Sequence, residues 1–399
     1  MTRVAVVVGG SIGGLFAANI LARAGWDVTV AERSAGPLAG RGAGIVTHPA
    51  LFRALRLAGV EPDETIGVAV PGRRVLARDG GVAEERALPQ VLTSWSRLHA
   101  LLEAAFGPAR IARGRVAAGV TQDADRARVH FADGGTLTAD LVVAADGIRS
   151  ALRAQLLPGV APAYAGYIAW RGMADEALLS PATRALLFGH FCFSLPDGEQ
   201  MLGYPVAGPG DTVQAGQRRY NFVWYRPADT ALLAAMQTDA AGRTHPDGIA
   251  PNLIRPELVA QARAAAAHLL APAFAEVVAL ADRPFFQPIM DLEVPAMAHG
   301  RVAILGDAAF VARPHCGMGV TKAAEDAQAL AEALAGEEVA PALAAWNARR
   351  APAGRHIVEH ARRLGAYMQA SRASAAERAM AQTYRSADAV LRETAVAPA

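Results

Sequence analysis

The stretch Val4-Ala5-Val6-Val7-Val8-Gly9-Gly10-Ser11-Ile12-Gly13-Gly14 decides the fold. Val4–Val8 is an apolar run rich in β-branched residues, which is typical of a parallel strand buried on both faces. The glycines then lead into a predicted helix, Leu15–Ala24, which ends at Gly25. A second predicted strand covers Asp27–Ala31. This order of strand, glycine turn, helix and strand predicts a parallel βαβ unit.

The glycine turn has the residues expected for binding a dinucleotide. In a βαβ unit the pyrophosphate lies over the N-terminus of the first helix, where free N–H groups and the helix dipole favour an anion. Gly9 and Gly14 match the first and third glycines of the usual pattern, while Ser11 replaces the second and can donate its hydroxyl to a phosphate. Glu32, eighteen residues after Gly14, suits the adenosine ribose hydroxyls and disfavours a 2′-phosphate. An ordinary glycine-rich turn is the alternative, and this segment alone does not decide between FAD and NAD.

Two later segments extend the predicted nucleotide site. Leu141–Ala145 reads as a buried strand that ends at Asp146-Gly147. Arg301–Leu305 is another strand, followed by Gly306-Asp307, whose carboxylate suits the hydroxyls of a ribityl chain. We expect these strand ends to converge on one cofactor, although a polar turn is the alternative for residues 146–147.

Two further features favour a flavin. A predicted hairpin, Val116–Thr121 and Ala127–Phe131 with a turn at Asp133-Gly134-Gly135, precedes the middle segment and is a feature of flavin folds rather than of plain dehydrogenases. The loop Arg313–Gly319 leads into a predicted helix, Val320–Ala335, whose N-terminus can stabilise negative charge on a reduced flavin ring. The order and separation of the three segments therefore predict bound FAD.

The composition excludes several other classes of protein. The 399 residues are 52% hydrophobic and 19% charged, with a net charge of +2, so neither a nucleic-acid partner nor a membrane is expected. The two cysteines, Cys192 and Cys316, are too few for a disulfide framework or a zinc cluster, and no His/Asp spacing indicates a metal. A cytoplasmic location is the simplest interpretation.

The middle of the chain predicts a second domain inserted into the first. Four strands, two helices and most of the aromatic residues indicate an antiparallel sheet with one covering layer, in which most aromatics are core and one face covers the cofactor. The predicted fold class is α/β: a Rossmann-like FAD-binding domain of the glutathione reductase type with an inserted antiparallel-sheet substrate domain. The predicted strands are Tyr164–Gly172, His190–Leu195, Gln200–Pro205 and Arg219–Tyr225, and the helices are Ala228–Gln237 and Pro256–Leu270. The predicted domains are FAD-binding, 1–72, 96–160 and 288–370; substrate-binding, 73–95 and 161–287; and a C-terminal helical tail, 371–399.

Over about residues 3–365 the sequence resembles the FAD-dependent aromatic hydroxylases of the p-hydroxybenzoate hydroxylase type, the class A flavoprotein monooxygenases. Besides the three nucleotide segments, Gly42-Ala43-Gly44-Ile45 and Trp95-Ser96-Arg97-Leu98 match that family's pattern. Within the family, the middle of the chain looks most like the 2,6-dihydroxypyridine 3-hydroxylases and their relatives. The residues that carry this closer likeness are Tyr164–Gly172, Tyr220–Tyr225 and Ala312–His315.

The resemblance implies a set of residues that bind FAD. It assigns the glycine turn to the pyrophosphate, the residues after the second strand to the adenosine end, the two acidic strand ends to the ribityl and pyrophosphate groups, and the late loop to the isoalloxazine. The implied residues are Gly9, Ser11, Ile12, Gly14, Glu32, Arg33, Arg41, Gly44, Arg97, Asp146, Asp307, Pro314, Gly317, Met318, Gly319 and Val320. The stretch Cys316–Gly319 departs from the family, where many relatives have smaller neighbours around a Gly-x-Gly.

The resemblance also implies a reaction. NADH or NADPH docks transiently and reduces FAD, O2 forms a flavin C4a-hydroperoxide, and one oxygen atom is transferred to a small aromatic or N-heteroaromatic ring of the hydroxypyridine type. The alternatives are a flavin-dependent oxidase or reductase, which inserts no oxygen, and a flavin-binding protein without enzymatic activity.

Deprotonation of a ring hydroxyl makes the ring more nucleophilic, so a general base is expected near the substrate. His315 is the first candidate, followed by His48, His190 and Tyr220. Each has an ordinary alternative, such as loop filling for His315 and helix capping for His48. Arg171 would suit an anionic substrate oxygen or, equally, a structural salt bridge. The helix around Leu343–Leu364 and the Ala-rich tail would suit a homodimer interface, with frayed ends as the alternative.

Overall fold

The computed structural model of the chain describes residues 2–38, 44–372 and 374–398. Arg41, predicted to border the flavin, lies outside the described residues. The strands are β1 Val4–Val8, β2 Asp27–Glu32, β3 Gly44–Val46, β4 Val68–Leu76, β5 Val82–Ser94, β6 Ile111–Arg113, β7 Ala117–Gln122, β8 Ala127–Phe131, β9 Thr136–Ala139, β10 Leu141–Ala144, β11 Ala163–Asp175, β12 His190–Ser194, β13 Gln200–Val206, β14 Arg219–Pro227, β15 Asp282–Glu293, β16 Ala298–His299, β17 Val302–Ile304 and β18 Phe310–Val311. The α-helices are α1 Ile12–Arg23, α2 Pro49–Leu57, α3 Trp95–Phe106, α4 Ala151–Leu156, α5 Pro181–Leu187, α6 Thr230–Met236, α7 Pro256–Leu269, α8 Pro272–Leu280, α9 Gly319–Ala333, α10 Val339–Gly365, α11 Ala375–Tyr384 and α12 Ala387–Glu393.

A six-stranded sheet forms the nucleotide-binding part of the fold. Its order is β16-β17-β10-β1-β2-β6, and all neighbours are parallel except the edge pair β16–β17. The apolar residues of β1, β10 and β17 are buried because helices pack on the sheet. The predicted α/β class is confirmed, and the three strand ends that carry the nucleotide segments are neighbours.

The predicted hairpin is part of a three-stranded antiparallel sheet, β7-β8-β9. The turn that joins β7 to β8 lies at residues 123–126, where Asp123 accepts from the backbone N–H groups of Asp125 and Arg126. Asp133-Gly134-Gly135, predicted to turn between the first two strands, instead joins β8 to β9. The prediction was wrong here because both turns have an Asx-type sequence. The third strand, β9, was not predicted, so the second turn was assigned to the only hairpin that was expected.

A nine-stranded sheet, β18-β15-β11-β14-β13-β12-β4-β5-β3, forms the roof of the fold. Its pairs are antiparallel except β12–β4. β4 and β15 run through residues 73 and 288, where the sequence placed domain boundaries.

Alternation along each strand of the roof sheet gives it two buried faces. The outer face, beneath α7 and α8, includes Trp170, Cys192, Tyr220, Phe222 and Trp224. The inner face includes Tyr167, Phe191, Phe193, Tyr204 and Tyr225.

The last helices pack against the inner face. Buried residues of α11 and α12, among them Ala381, Val390 and Leu391, join the same apolar cluster as the inner-face aromatics. The predicted tail therefore contains helices that pack on their own chain. Among the described residues no helix has the length and apolar composition needed to cross a bilayer.

Candidate FAD and substrate site

The glycine turn after β1 has no room for a β-carbon at two positions, Gly9 and Gly14. Gly9 has φ +110°, and a β-carbon there would overlap the carbonyl oxygen of Ala145 at the end of β10. A β-carbon on Gly14 would overlap the carbonyl oxygen of Gly9 itself. These contacts bring the N-terminus of α1 against the ends of β1 and β10. Ser11 is the N-cap residue of α1 and makes no side-chain capping bond, so its hydroxyl remains available to a phosphate. Ile12 is buried.

Glu32 holds the turn in shape. Its Oε2 accepts from the Gly10 N–H at 2.8 Å and its Oε1 accepts from the Ser34 N–H at 2.7 Å. The carboxylate is buried at the end of β2, and the neighbouring Arg33 is exposed. Glu32, which is predicted to bind the adenosine ribose, therefore already accepts from two backbone amides. A ribose hydroxyl would donate to the same carboxylate.

Helix α3 supplies contacts that sequence reasoning missed. His99 Nε2 lies 2.9 Å from the carbonyl oxygen of Gly10, and the His99 ring stacks on Trp95 at 4.6 Å. The signal was present in the Trp95–Leu98 motif, whose helical continuation places His99 one turn after Trp95. The helix is thereby fixed against the glycine turn.

Arg97, on the first turn of α3, bridges to the roof of the fold. Its Nη2 donates to Thr65 Oγ1 at 2.7 Å, and its Nη1 lies 3.2 Å from Asp211 Oδ2. Its Nε is buried and has no partner among the described residues. A cation that retains a free donor suits the predicted contact with a phosphate.

Asp146 and Asp307 follow the neighbouring strands β10 and β17. Asp146 Oδ2 accepts from the Ala151 N–H at 2.9 Å, while its Oδ1 is buried without a partner in the described part of the chain. Burial raises the pKa of the Asp146 carboxyl. Asp307 keeps an exposed side chain, which is therefore accessible to a ligand. Two acceptors with unused capacity at adjacent strand ends fit the hydroxyls of a ribityl chain.

The loop before α9 presents open backbone at Gly319. Gly317 has φ +65°, the left-handed conformation that favours glycine. Gly319, the first residue of α9, is exposed, and a β-carbon there would meet nothing within 4 Å. Pro314 and Val320 are half-buried and Met318 is buried. The free N–H groups at this helix start can face a flat anionic ring edge.

His315 is buried and both of its ring nitrogens are engaged. Nε2 lies 2.8 Å from the Tyr167 hydroxyl, and Nδ1 lies 3.3 Å from Gln200 Oε1. The ring also packs on Tyr225 at 4.1 Å. Burial, with further repulsion from Arg313 and Arg171, lowers the pKa of His315 well below its usual value. His315 is therefore neutral at neutral pH and fixed in orientation.

His48 lies beside Gly317. Its Nδ1 is 3.1 Å from the hydroxyl of Thr321, in the first turn of α9, and a β-carbon on Gly317 would lie 3.6 Å from its Cε1. Its Nε2 is buried and makes no hydrogen bond of normal geometry among the described residues, although the backbone of Ala395 is close enough to raise the pKa of the ring slightly against the effect of burial. Burial is the main reason that the pKa of His48 is lowered to about 4. His48 occupies the N-cap position of α2 without making a side-chain capping bond, so the capping alternative does not explain it.

The structure does not bring Tyr220 or His190 to this place. Tyr220 points to the outer face, 5.3 Å from Phe188 and 6.3 Å from Phe274 between ring centroids. His190 Nε2 lies 3.6 Å from Glu85 Oε1, and its side chain shares the outer-face direction of Cys192 two residues later. Alternation along β14 and β12 turns both side chains away from His48 and His315.

Arg171 does lie on the inner face, two residues after Ala169 on β11. Its Nε is buried without a partner, and among the described residues it forms no ion pair within 4 Å, so the structural salt bridge is not observed. The charge of Arg171 contributes to lowering the pKa of His315. The site thus combines an unpaired cation with neutral imidazoles.

Two further polar residues of the site were missed. Asn221 Oδ1 accepts from the Gly44 N–H at 3.2 Å, and a β-carbon on Gly44 would overlap the ring of Tyr204. Arg313 pairs with Asp291, with its Nη2 2.8 Å from Oδ2, and so ties the loop before His315 to β15. The motif containing Arg313 was noticed, but its partner on a distant strand gives no local signal.

Comparison with known proteins agrees with this geometry. The FAD binding domain family matches residues 1–165 and 287–361, and the FAD binding domain-like family matches residues 164–291. The chain is 34% identical over 368 residues to 2,6-dihydroxypyridine 3-monooxygenase of Paenarthrobacter nicotinovorans, covering 91% of each chain. It is 29% identical over 341 residues to 6-hydroxynicotinate 3-monooxygenase of Bordetella bronchiseptica, covering 81% of this chain and 80% of the relative.

Solved structures give the same result. The structure of 2,6-dihydroxypyridine-3-hydroxylase from Arthrobacter nicotinovorans superimposes with a TM-score of 0.86 and 32% identity, covering 92% of this chain and 93% of that one. A single-substitution variant of Klebsiella pneumoniae HpxO complexed with FAD superimposes with a TM-score of 0.77 and 25% identity, covering 98% of this chain and 95% of that one. With the glycine turn, the acidic strand ends and the open α9 loop in place, this chain belongs to the FAD-dependent aromatic hydroxylases, the class A flavoprotein monooxygenases.

Proposed function

We propose that the protein hydroxylates a small hydroxypyridine-type ring, with His48 accepting the proton of a ring hydroxyl. The observation that carries this proposal is the buried Nε2 of His48, which makes no hydrogen bond of normal geometry among the described residues and lies beside Gly317, in the loop before α9. The identity with 2,6-dihydroxypyridine 3-monooxygenase supports the substrate class. Aromatic side chains on the inner face suit a planar ring between the sheet and the cofactor.

The residues present fit FAD. Gly9, Ser11 and Gly14 would receive the pyrophosphate, and Glu32 the adenosine ribose. Asp146 and Asp307 would bind the ribityl hydroxyls, and Arg97 a phosphate, through the free polar atoms described above. The Gly317–Val320 backbone would face the isoalloxazine. When bound, the flavin accepts electrons from NADH or NADPH and supplies one oxygen atom of O2 to the ring.

His48 and Arg171 act together on the substrate. The low pKa of His48 keeps its imidazole neutral, so that it can accept a hydrogen bond from the ring hydroxyl. Transfer of the proton then requires the developing ring oxyanion to raise the pKa of the imidazole, because a base with a pKa of about 4 is otherwise too weak. The guanidinium of Arg171 favours the resulting ring oxyanion, because an opposite charge at short range stabilises the ionised form. His315 is held by Tyr167 and Gln200, so its contribution is to position the loop and border the ring.

The test uses the purified yellow protein with NADH or NADPH and a panel of 2,6-dihydroxypyridine, 6-hydroxynicotinate and simple phenols. We expect substrate-stimulated oxidation of the reductant by a hydroxypyridine, with one oxygen-18 atom from labelled O2 in the product. Stoichiometric H2O2 with an unmodified ring would instead support an oxidase.

A matched pair of variants tests the assignment of the base. His48→Gln should lower kcat by about 10²-fold or more, the usual contribution of general base catalysis. His190→Gln, on the outer face, should retain activity. Equal activity of the two variants would remove His48 from the mechanism.

A further inference from the structure

The C-terminal segment, residues 386–398, contacts the loop that holds His315. It comprises α12 and the turn that follows it. The Ala395 N–H donates to the carbonyl oxygen of His315 at 2.6 Å. A β-carbon on Gly317 would lie 3.1 Å from both Cα and Cβ of Ala395. Thr394 and Ala395 are themselves buried. The C-terminal segment therefore forms a wall between the inner face of the roof sheet and the start of α9.

Arg73 on β4 makes three side-chain hydrogen bonds to this wall. Its Nη1 donates to the carbonyl oxygens of Leu391 at 3.1 Å and Thr394 at 2.5 Å, and its Nη2 donates to that of Ala395 at 3.2 Å. Gln90 Nε2 also donates to Ala395 O at 3.0 Å, while Gln90 Oε1 accepts from Arg73 Nη2 at 2.6 Å. A cation at the carboxyl end of α12 also interacts favourably with the last free carbonyls of the helix.

Loss of the hydrogen bonds between Arg73 and the C-terminal segment would destabilise both. Arg73 is completely buried, and within the described residues it has hydrogen-bond acceptors but no carboxylate partner. Burial, with repulsion from Arg86, lowers the pKa of its guanidinium to about 9. A buried charge is tolerated only where hydrogen bonds replace water, so Arg73 and the C-terminal segment depend on each other.

We propose that Arg73 is a positioning residue that keeps the C-terminal segment seated as a wall of the reaction chamber, and that this wall excludes water from the flavin. The inference rests on the proposed function. Hydroxylation converts Ar–H, O2, NAD(P)H and H⁺ into Ar–OH, H2O and NAD(P)⁺. When no oxygen is inserted, O2, NAD(P)H and H⁺ give H2O2 and NAD(P)⁺. An open, wet chamber favours the second outcome.

The test compares the wild type with Arg73→Met, Arg73→Lys, a protein ending at residue 385, and that shortened protein carrying Arg73→Met. The control is Arg86→Met, because Arg86 faces Arg73 across β4 and β5 but is exposed. The fraction of oxidised NADH or NADPH that appears as H2O2 is measured with saturating substrate. It should rise about fivefold in Arg73→Met and in the shortened protein as water enters. Arg73→Lys should recover part of the coupling, and Arg73→Met should add nothing to the shortened protein.

Limited trypsin digestion of the FAD-loaded, full-length proteins provides a readout that does not depend on turnover. Arg385 and Arg392 are exposed cleavage sites at the two ends of α12. Cleavage there should be about tenfold faster in Arg73→Met than in the wild type or Arg86→Met, because the segment unfolds locally more often.

Three results would overturn the inference while leaving the proposed function intact. They are an unchanged H2O2 fraction in both Arg73→Met and the shortened protein, unchanged tryptic cleavage, or faster, fully coupled turnover after shortening. The last would mean that the segment blocks the chamber instead of completing it. A wild type without substrate-stimulated oxidation of the reductant overturns the proposed function itself.

Discussion

The hydroxyl of Tyr167 lies 2.8 Å from Nε2 of His315, and both residues are buried. Since Nδ1 of the same ring faces Gln200, the imidazole has no free nitrogen for a substrate. The first candidate base from the sequence is thus better explained as a fixed structural residue, whereas Nε2 of His48 makes no hydrogen bond of normal geometry among the described residues.

Tyr167→Phe should therefore loosen His315 without removing the FAD. Loss of the hydroxyl leaves a buried ring nitrogen unsatisfied, which should lower the free energy of unfolding by about 1–3 kcal/mol. Denaturant titration measures this change, and the flavin absorbance reports cofactor content. Tyr164→Phe is the matched control, since Tyr164 lies on the same strand, is half-buried and donates to the Ala228 carbonyl at 2.9 Å. An equal loss in both variants would argue against a special role for the His315 contact.

The stability of the protein should depend on pH through His48. Its pKa is about 4 in the folded protein and 6.5 in the unfolded chain. Between these values the unfolded chain binds a proton that the folded protein does not. The free energy of unfolding should therefore fall as the pH drops from about 6.5 to 4, with His48 contributing up to about 3 kcal/mol. His48→Gln should make that part of the curve less steep, as measured by urea titrations at several pH values, while His315, whose pKa is also lowered by burial, keeps part of the slope. An unchanged slope would contradict the assignment.

Arg171→Met should lower the catalytic efficiency with substrates whose ring hydroxyl ionises. Loss of a charged hydrogen bond should lower kcat/KM by about 10- to 100-fold, while FAD content stays the same. Arg219→Met is the control, because Arg219 is on β14 of the same sheet but pairs with Asp175 at 2.7 Å near the surface. Steady-state kinetics with the best substrate of the panel distinguishes the two. A similar kcat/KM for both variants would assign Arg171 a structural role only.

Gly14→Ala should prevent the glycine turn from adopting the shape seen here. The new methyl group would overlap the Gly9 carbonyl oxygen, so the turn must open where the pyrophosphate is expected. We expect a purified protein with little or no yellow colour, with FAD content measured after heat release. Gly36→Ala is the control, because a β-carbon there meets nothing within 4 Å. Full flavin content in Gly14→Ala would contradict this account of the turn.

Much of the nucleotide-binding part could be predicted from local sequence. Runs such as Val4–Val8 and Leu141–Ala144 are buried on both faces, so their apolar character alone identifies them. Glycines that tolerate no β-carbon mark the turns beside them. The roof sheet was harder, because β4 and β5 carry several charged residues, including Arg73, Arg74 and Arg86, that conceal the alternation.

The site was only partly predictable for a different reason. Whether Tyr220 or Asn221 faces the cofactor depends on one residue of register in β14, which spacing does not determine. Likewise, the partners of Arg313 and Arg73 are distant in sequence, and no sequence pattern near either residue indicates which residues they contact. The predicted homodimer remains a prediction.

The bonds between Arg73 and the C-terminal segment join residues 318 to 322 positions apart along the chain. During synthesis, the carbonyl groups that accept from Arg73 are made only when almost the entire polypeptide is complete. The βαβ unit at the start can form early from neighbouring residues, whereas β4 acquires its carbonyl partners among the last events of folding. A chain that ends shortly before α12 should therefore form its first nucleotide-binding unit but lack a complete reaction chamber.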